Sequence, residues 1–209
     1  MALKLLSLSK GGEAPKLRLN LSKESRPFTV ELFWETPHDL DAHALEAFNN
    51  GNGARITSLK QVLSTYAFKR TVRGKVEGEF DRNTDGSFQT ASGALLHNGD
   101  VLTGKPEGVD EIITINGSKL DGANEVPIFI TIHSEPGARI ITFSEVEKAG
   151  MHIKDGSGKT LAEYELSKQF GEFNIVQMGS LMLHNNGWEY VEVASGFMGD
   201  FNDILGAFS

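Results

Sequence analysis

Alternation of apolar and polar residues constrains this chain more than any other feature. In KLRLNLS (16–22), Leu17, Leu19 and Leu21 fall on one side, and in FTVELFW (28–34) Phe28, Val30, Leu32 and Trp34 do the same. VPIFITIH (126–133) sends Val126, Ile128, Ile130 and Ile132 one way and Phe129, Thr131 and His133 the other. Successive side chains of extended backbone point to opposite faces, so a period of two marks strands with one face in a core. Further strand-like runs stand at 112–116, 151–154, 161–166, 178–183 and 188–193. Turn signals punctuate them: Asn186-Gly187, which accepts positive φ, and DGSG at 155–158. The pattern predicts an all-β fold, a two-sheet β-sandwich with a few short peripheral helices, as one domain over 1–209.

Helical spacing is scarce. The sequence predicts short helices over 57–68 and over 143–150, the second capped by Ser144 and stopped by Gly150. The tail 199–208 places Phe201, Ile204, Leu205 and Phe208 at 3-4 spacing, the mark of an amphipathic helix. Residues 69–93 are polar and contain glycine, and read as an inserted hairpin or loop. The opening 1–16 reads as a first strand and not as a signal peptide, because no small-residue cleavage site follows its apolar stretch.

Charge and composition exclude several classes. Twenty Lys and Arg against 28 Asp and Glu give a net charge of −8, so no nucleic-acid footprint is expected. Cysteine is absent, which removes disulfides, thiolate metal sites and cysteine nucleophiles. No apolar run approaches 18 residues, so no membrane insertion is expected, and the cytoplasm is the default location. G-x-S-x-G and H-E-x-x-H do not occur, and DGSGKT lacks the earlier glycine of a phosphate loop. The chain does not read as an enzyme.

Three carboxylate-rich stretches remain. Asp39 and Asp41 in PHDLDAHAL (37–45) follow a strand and are one residue apart, so in extended backbone both side chains crowd one spot and repel. A cation between them would relieve that; ordinary solvated loop residues are the plainer reading. The loop HNGDVLTGKPEGVDE (97–111) carries Asp100, Glu107, Asp110 and Glu111 among glycines that let carbonyls turn inward. Such oxygens suit a hard cation like Ca²⁺, and equally suit a solvated acidic surface. DRNTDGS (81–87) opens like a calcium hand, but position twelve is Ser92 and its flanks look like strands, so a hairpin turn is expected. His133, which closes a strand, reads as a supporting or core group and not a zinc ligand.

Taken in order, these stretches resemble the TerD-type family of tellurite-resistance and stress proteins. DLDAHAL (39–45), LHNGDVLTG with VDEIITI (96–115), PIFITIHS (127–134), TFSEVEKAGMHIKDGSGKTLAEYELS (142–167) and MGSLMLHNNGWEYVEVASGFMGDFNDIL (178–205) carry the resemblance. The segment at about 46–93 lies largely outside it. The resemblance implies a calcium-binding β-sandwich with Asp39, Asp41, Asp100, Asp110 and Glu111 as ligands. Several positions depart from the family pattern: Glu35 follows Trp34, the insert before DLD shortens to TPH, and Val101 and Val109 replace polar or acidic residues. Those losses predict one good Ca²⁺ site and a weak or missing second.

Two functions follow. The first is a non-enzymatic calcium module in tellurite or stress resistance, whose ion-ordered loops act through self-association or other protein partners. The second is a structural or decoration subunit of a phage particle reusing the same sandwich, with a virion location. A carbohydrate-binding sandwich would need an exposed aromatic platform, whereas Trp34 and Trp188 fall on strand patterns that read as core.

Overall fold

The computed structural model describes residues 18–21, 27–104, 108–120, 122–134, 137–184 and 187–209, with backbone only at 18–21, 70 and 72. Its strands in chain order are β1 (Arg18–Leu21), β2 (Phe28–Phe33), β3 (Leu40–Leu45), β4 (Phe48–Asn49), β5 (Ala54–Arg55), β6 (Val62–Leu63), β7 (Arg70–Val72) and β8 (Lys75–Glu77). Then come β9 (Phe88–Gln89), β10 (Leu95–His97), β11 (Glu111–Ile115), β12 (Glu125–Ile132), β13 (Gly150–Lys154), β14 (Thr160–Glu165), β15 (Ile175–His184) and β16 (Gly187–Phe197). Two helices are present among the described residues, α1 (Leu166–Gln169) and α2 (Phe201–Phe208).

The strands build two six-stranded sheets. One runs β1-β16-β15-β12-β3-β6 and the other β14-β13-β2-β11-β10-β9, with antiparallel neighbours throughout. Their facing side chains form one apolar core, because alternation puts every second residue inward. Val30 and Leu32 of β2 and Ile113 and Ile115 of β11 enter it from one sheet, and Ala42, Ala44, Ile128, Ile130 and Met178 from the other. Trp34 and Trp188 are both buried in it, as the sequence indicates.

β3 and β12 are buried on both faces. Their second face meets a smaller apolar cluster of Leu45, Ile56, Val62, Phe129, Ile175 and Ile204, with Phe201, Leu205 and Phe208 of α2 against it. Residues 46–67 and α2 therefore blanket the outside of one sheet. Asp200 caps α2 by accepting from the amides of Asn202 (2.8 Å) and Asp203 (3.3 Å).

The sequence misplaces two helices. Residues 57–68 form two single 3₁₀ turns, Leu59–Gln61 and Thr65–Ala67, around the two-residue strand β6. Ser58 and Ser64 turn their hydroxyls onto the amides of Lys60 and Tyr66, and Val62 and Leu63 pair with β3. Serine capping of single turns and sheet pairing of a β-branched residue outcompete a helix here. Over 143–150 only Phe143–Glu145 makes a helical turn, preceded by Thr142 and not by Ser144, and Gly150 opens β13. DGSG turns as expected, with the Gly158 amide on the Asp155 carbonyl at 2.8 Å. His184 opposite Gly187 closes the β15–β16 hairpin, and the two residues between them lie outside the described ones, as do residues 1–16.

Candidate metal centre

Asp39 ends the turn after β2, and Asp41 follows on β3, aimed away from the sandwich core. Here the backbone register does what i, i+2 spacing requires. Asp41 is fully buried, because residues 65–66 fold over it: the Thr65 hydroxyl donates to Asp41 Oδ1, and the Tyr66 hydroxyl donates to Oδ2 at 2.8 Å. Tyr66 also lies 3.1 Å from His133 Nδ1, at the end of β12.

The loop between β10 and β11 brings the second set. Glu111, at the start of β11, is fully buried, and its Oε2 accepts the Ala42 amide at 2.9 Å while Oε1 accepts the Val101 amide at 3.3 Å. His97 Nε2 stands 3.3 Å from Glu111 Oε2. Asp100 is half-buried and meets Arg82 at 3.5 Å, whose guanidinium lies 3.8 Å above the Phe68 ring.

Two groups of ligating atoms converge within 4.8 Å of one another: Asp39, Asp41 and His133, and Asp41, Asp100 and Glu111. Asp41 belongs to both, so the groups form one centre. Asp110 is not in either. Its Oδ2 accepts the Trp34 amide at 3.0 Å, which ties the acidic loop to the end of β2. Glu107 lies outside the described residues. Asp81, Asn83 and Asp85 form a turn in which Asp85 accepts from Ser87, and they join no such group among the described residues.

Burial and mutual proximity disfavour the charged forms of these carboxyls. Burial first, then Asp41 and Asp100, push the Asp39 carboxyl up to about 7. Burial raises Asp41 against the hydrogen bonds of Thr65 and Tyr66, and raises Glu111 well above the carboxylate range, with Asp41 adding to it. Burial holds the neighbouring His97 neutral, down at about 4. Asp39 Oδ1 is a buried atom with no hydrogen-bond partner. A cleft of about 480 Å³ opens onto the centre, lined by Asp39, Asp41, Asp100 and His133 and by Lys69 and Arg82 of the insert.

Thr65, Tyr66, Arg82 and His97 are the participants that sequence reasoning does not reach. The first two sit in a stretch that reads as a helix and the third in a segment that reads as an insert. His97 carries a visible signal, since it stands in the acidic loop itself.

An antiparallel β-sandwich carrying a buried carboxylate centre between a strand start and a glycine-rich loop defines the class. Within it the chain belongs to the TerD domain family, whose model matches residues 6–208. The tellurium resistance protein TerZ of Serratia marcescens is 37% identical over 103 residues, 49% of this chain and 51% of TerZ, so the chain spans about half of that relative. General stress protein 16U of Bacillus subtilis (strain 168) is 29% identical over 139 residues, 66% of this chain and 72% of 16U. The crystal structure of a homologue of telluride resistance protein TerD from Streptomyces coelicolor A3(2) superposes with a TM-score of 0.62 at 20% identity. It covers 88% of this chain and 96% of its own, which is a likeness of fold. Among the described residues no helix is long and apolar enough to cross a membrane.

Proposed function

We propose that this TerD-family member is a non-enzymatic Ca²⁺-binding module that takes part in tellurite or stress resistance through association with itself or other proteins. One observation carries the reading. Asp41, Asp100 and Glu111 converge as an all-oxygen group next to Asp39, whose buried Oδ1 lacks a partner. Carboxylate oxygens without sulfur suit a hard divalent ion of six to eight oxygen ligands. Each carboxylate oxygen has about two acceptor sites, so Asp41 and Glu111 keep capacity for a cation beside their present donors. Asp39, Asp41, Asp100 and Glu111 would hold one ion, and Asp110 would act as the anchor of the loop that presents Asp100. Val101 and Val109 stand where the family pattern has polar or acidic residues, so a single ion is the expected stoichiometry. The ion would join the start of β3 to the β10–β11 loop and stabilise that end of the sandwich by mass action.

Calorimetric titration of chelator-treated protein with Ca²⁺, paired with melting curves at both ends, tests the reading. Saturable binding of one ion with a raised Tm is the expected result. No heat and no shift would overturn it.

A further inference from the structure

A second and larger cleft, about 1090 Å³, lies beside the ion centre and shares Tyr66 and His133 as a wall with it. We propose that this cleft is the docking site for an extended segment of a partner protein that carries spaced lysine or arginine residues and apolar side chains. The inference rests on the reading that the module works by protein association, and it does not require the ion.

The lining gives the apolar part. Leu59 and Ile140 stand about half exposed at it, and Phe201 and Leu205 of α2 are partly exposed beside them. Such side chains are the anchors into which a partner's apolar residues would pack. The charge is one-sided. Glu77 and Glu79 come from the end of the β7–β8 ribbon and Asp200 and Asp203 from the start of α2, and the lining holds no lysine or arginine among the described residues. Asp200 and Asp203 cap the helix and are offset in part by its positive end; Glu77 and Glu79 carry no such duty.

The arrangement also decides among cationic ligands. No three of these four carboxylates gather closely enough for one metal ion among the described residues. They come from separate elements, so the complement is a set of separated positive groups and not a point charge. Nucleic acid and anionic lipid are repelled by the same four groups and by the net charge of −8. An extended peptide with alternating basic and apolar residues meets both the floor and the rim.

The test uses the full chain and a fluorescent synthetic peptide of alternating lysine and leucine, followed by anisotropy with and without Ca²⁺. Saturable one-to-one binding is expected, weakened about tenfold by the double variant Glu77→Lys/Glu79→Lys and by Ile140→Asp. All three substituted positions lie outside the sandwich core, and melting curves verify the fold of each variant. Equal binding to parent and variants, equal binding of the matching glutamate–leucine peptide, or no binding at all would overturn the proposal. A calcium-raised Tm with no peptide binding overturns the cleft alone and leaves the ion-module reading in place.

Discussion

Replacing Asp39 with asparagine separates charge repulsion at the centre from its architecture. The Asp39 carboxyl rises from 3.8 to about 7 through burial and then through Asp41 and Asp100. Each unit corresponds to about 1.36 kcal/mol, so full ionisation in a site shut off from water would cost about 4 kcal/mol. Asp39 keeps a face toward solvent, and screening there reduces the cost to about 2 kcal/mol. In chelator at about pH 8, Asp39→Asn is therefore expected to be more stable than the parent, with Tm higher by about 4–8 °C for a chain of this size. Saturating calcium inverts the order. The parent gains about 2.7 kcal/mol at a hundredfold excess over Kd, and the variant, with a ligand removed, gains little. Differential scanning fluorimetry in chelator and in calcium reads both halves. A variant less stable than the parent in chelator would refute the reasoning, because the carboxylate would then be a structural acceptor and not a source of repulsion.

Four further outcomes test the same geometry. Calcium affinity should fall as pH drops below about 7, by about tenfold per unit for one displaced proton. The raised Glu111 and Asp41 make it steeper, so a flat calorimetric profile between about pH 8 and pH 6 would count against these ligands. For the same reason the ion-free protein should gain stability as pH falls from about 8 to about 6.5, since a carboxyl raised on folding binds its proton more tightly in the native state; below that, His43 and His97, held neutral by burial, work against the gain. Tyr66→Phe removes the hydroxyl that donates to Asp41 and should cost about 1–3 kcal/mol in urea unfolding of the calcium-loaded protein. Gly104→Ala sets a Cβ 2.2 Å from the Trp34 carbonyl oxygen and 2.4 Å from its ring, and should destabilise by about 1–3 kcal/mol, seen as a lower urea midpoint.

Period-two alternation made the sandwich legible. β2 keeps its strict inward and outward order, and β12 sorts Ile128 and Ile130 into one core and Phe129 into another, as the spacing requires. Four of the five carboxylates named from the sequence, Asp39, Asp41, Asp100 and Glu111, come together in the structure, because two of them flank the start of β3 and the other two lie in and just after the β10–β11 loop. Asp110 could not be separated from Glu111 by sequence. Adjacent residues alternate sides as a strand begins, so only the register shows which of the pair joins Asp41 and Asp100 and which turns to the Trp34 amide. Residues 57–68 were illegible for a different reason. Their apolar spacing suits a helix, and sheet pairing with β3 together with serine-capped turns overrides it.

That misreading conceals what the 46–93 segment does. Taken as an insert, it is an addition to a finished sandwich; in the fold it completes the outer face of one sheet and the carboxylate centre at once. Val62 and Ile56 bury the second side of β3 beneath α2, and the next few residues, Thr65 and Tyr66, are thereby held above Asp41. A buried carboxylate is tolerable only with donors or a cation beside it. Thr65 and Tyr66 supply donors to Asp41, so its burial does not depend on the proposed ion. Arg82, stacked on Phe68 and paired with Asp100, gives the more exposed carboxylate a counter-charge in the same way. The segment that lies largely outside the family resemblance thus supplies the groups that allow four clustered acids to share one end of a β-sandwich.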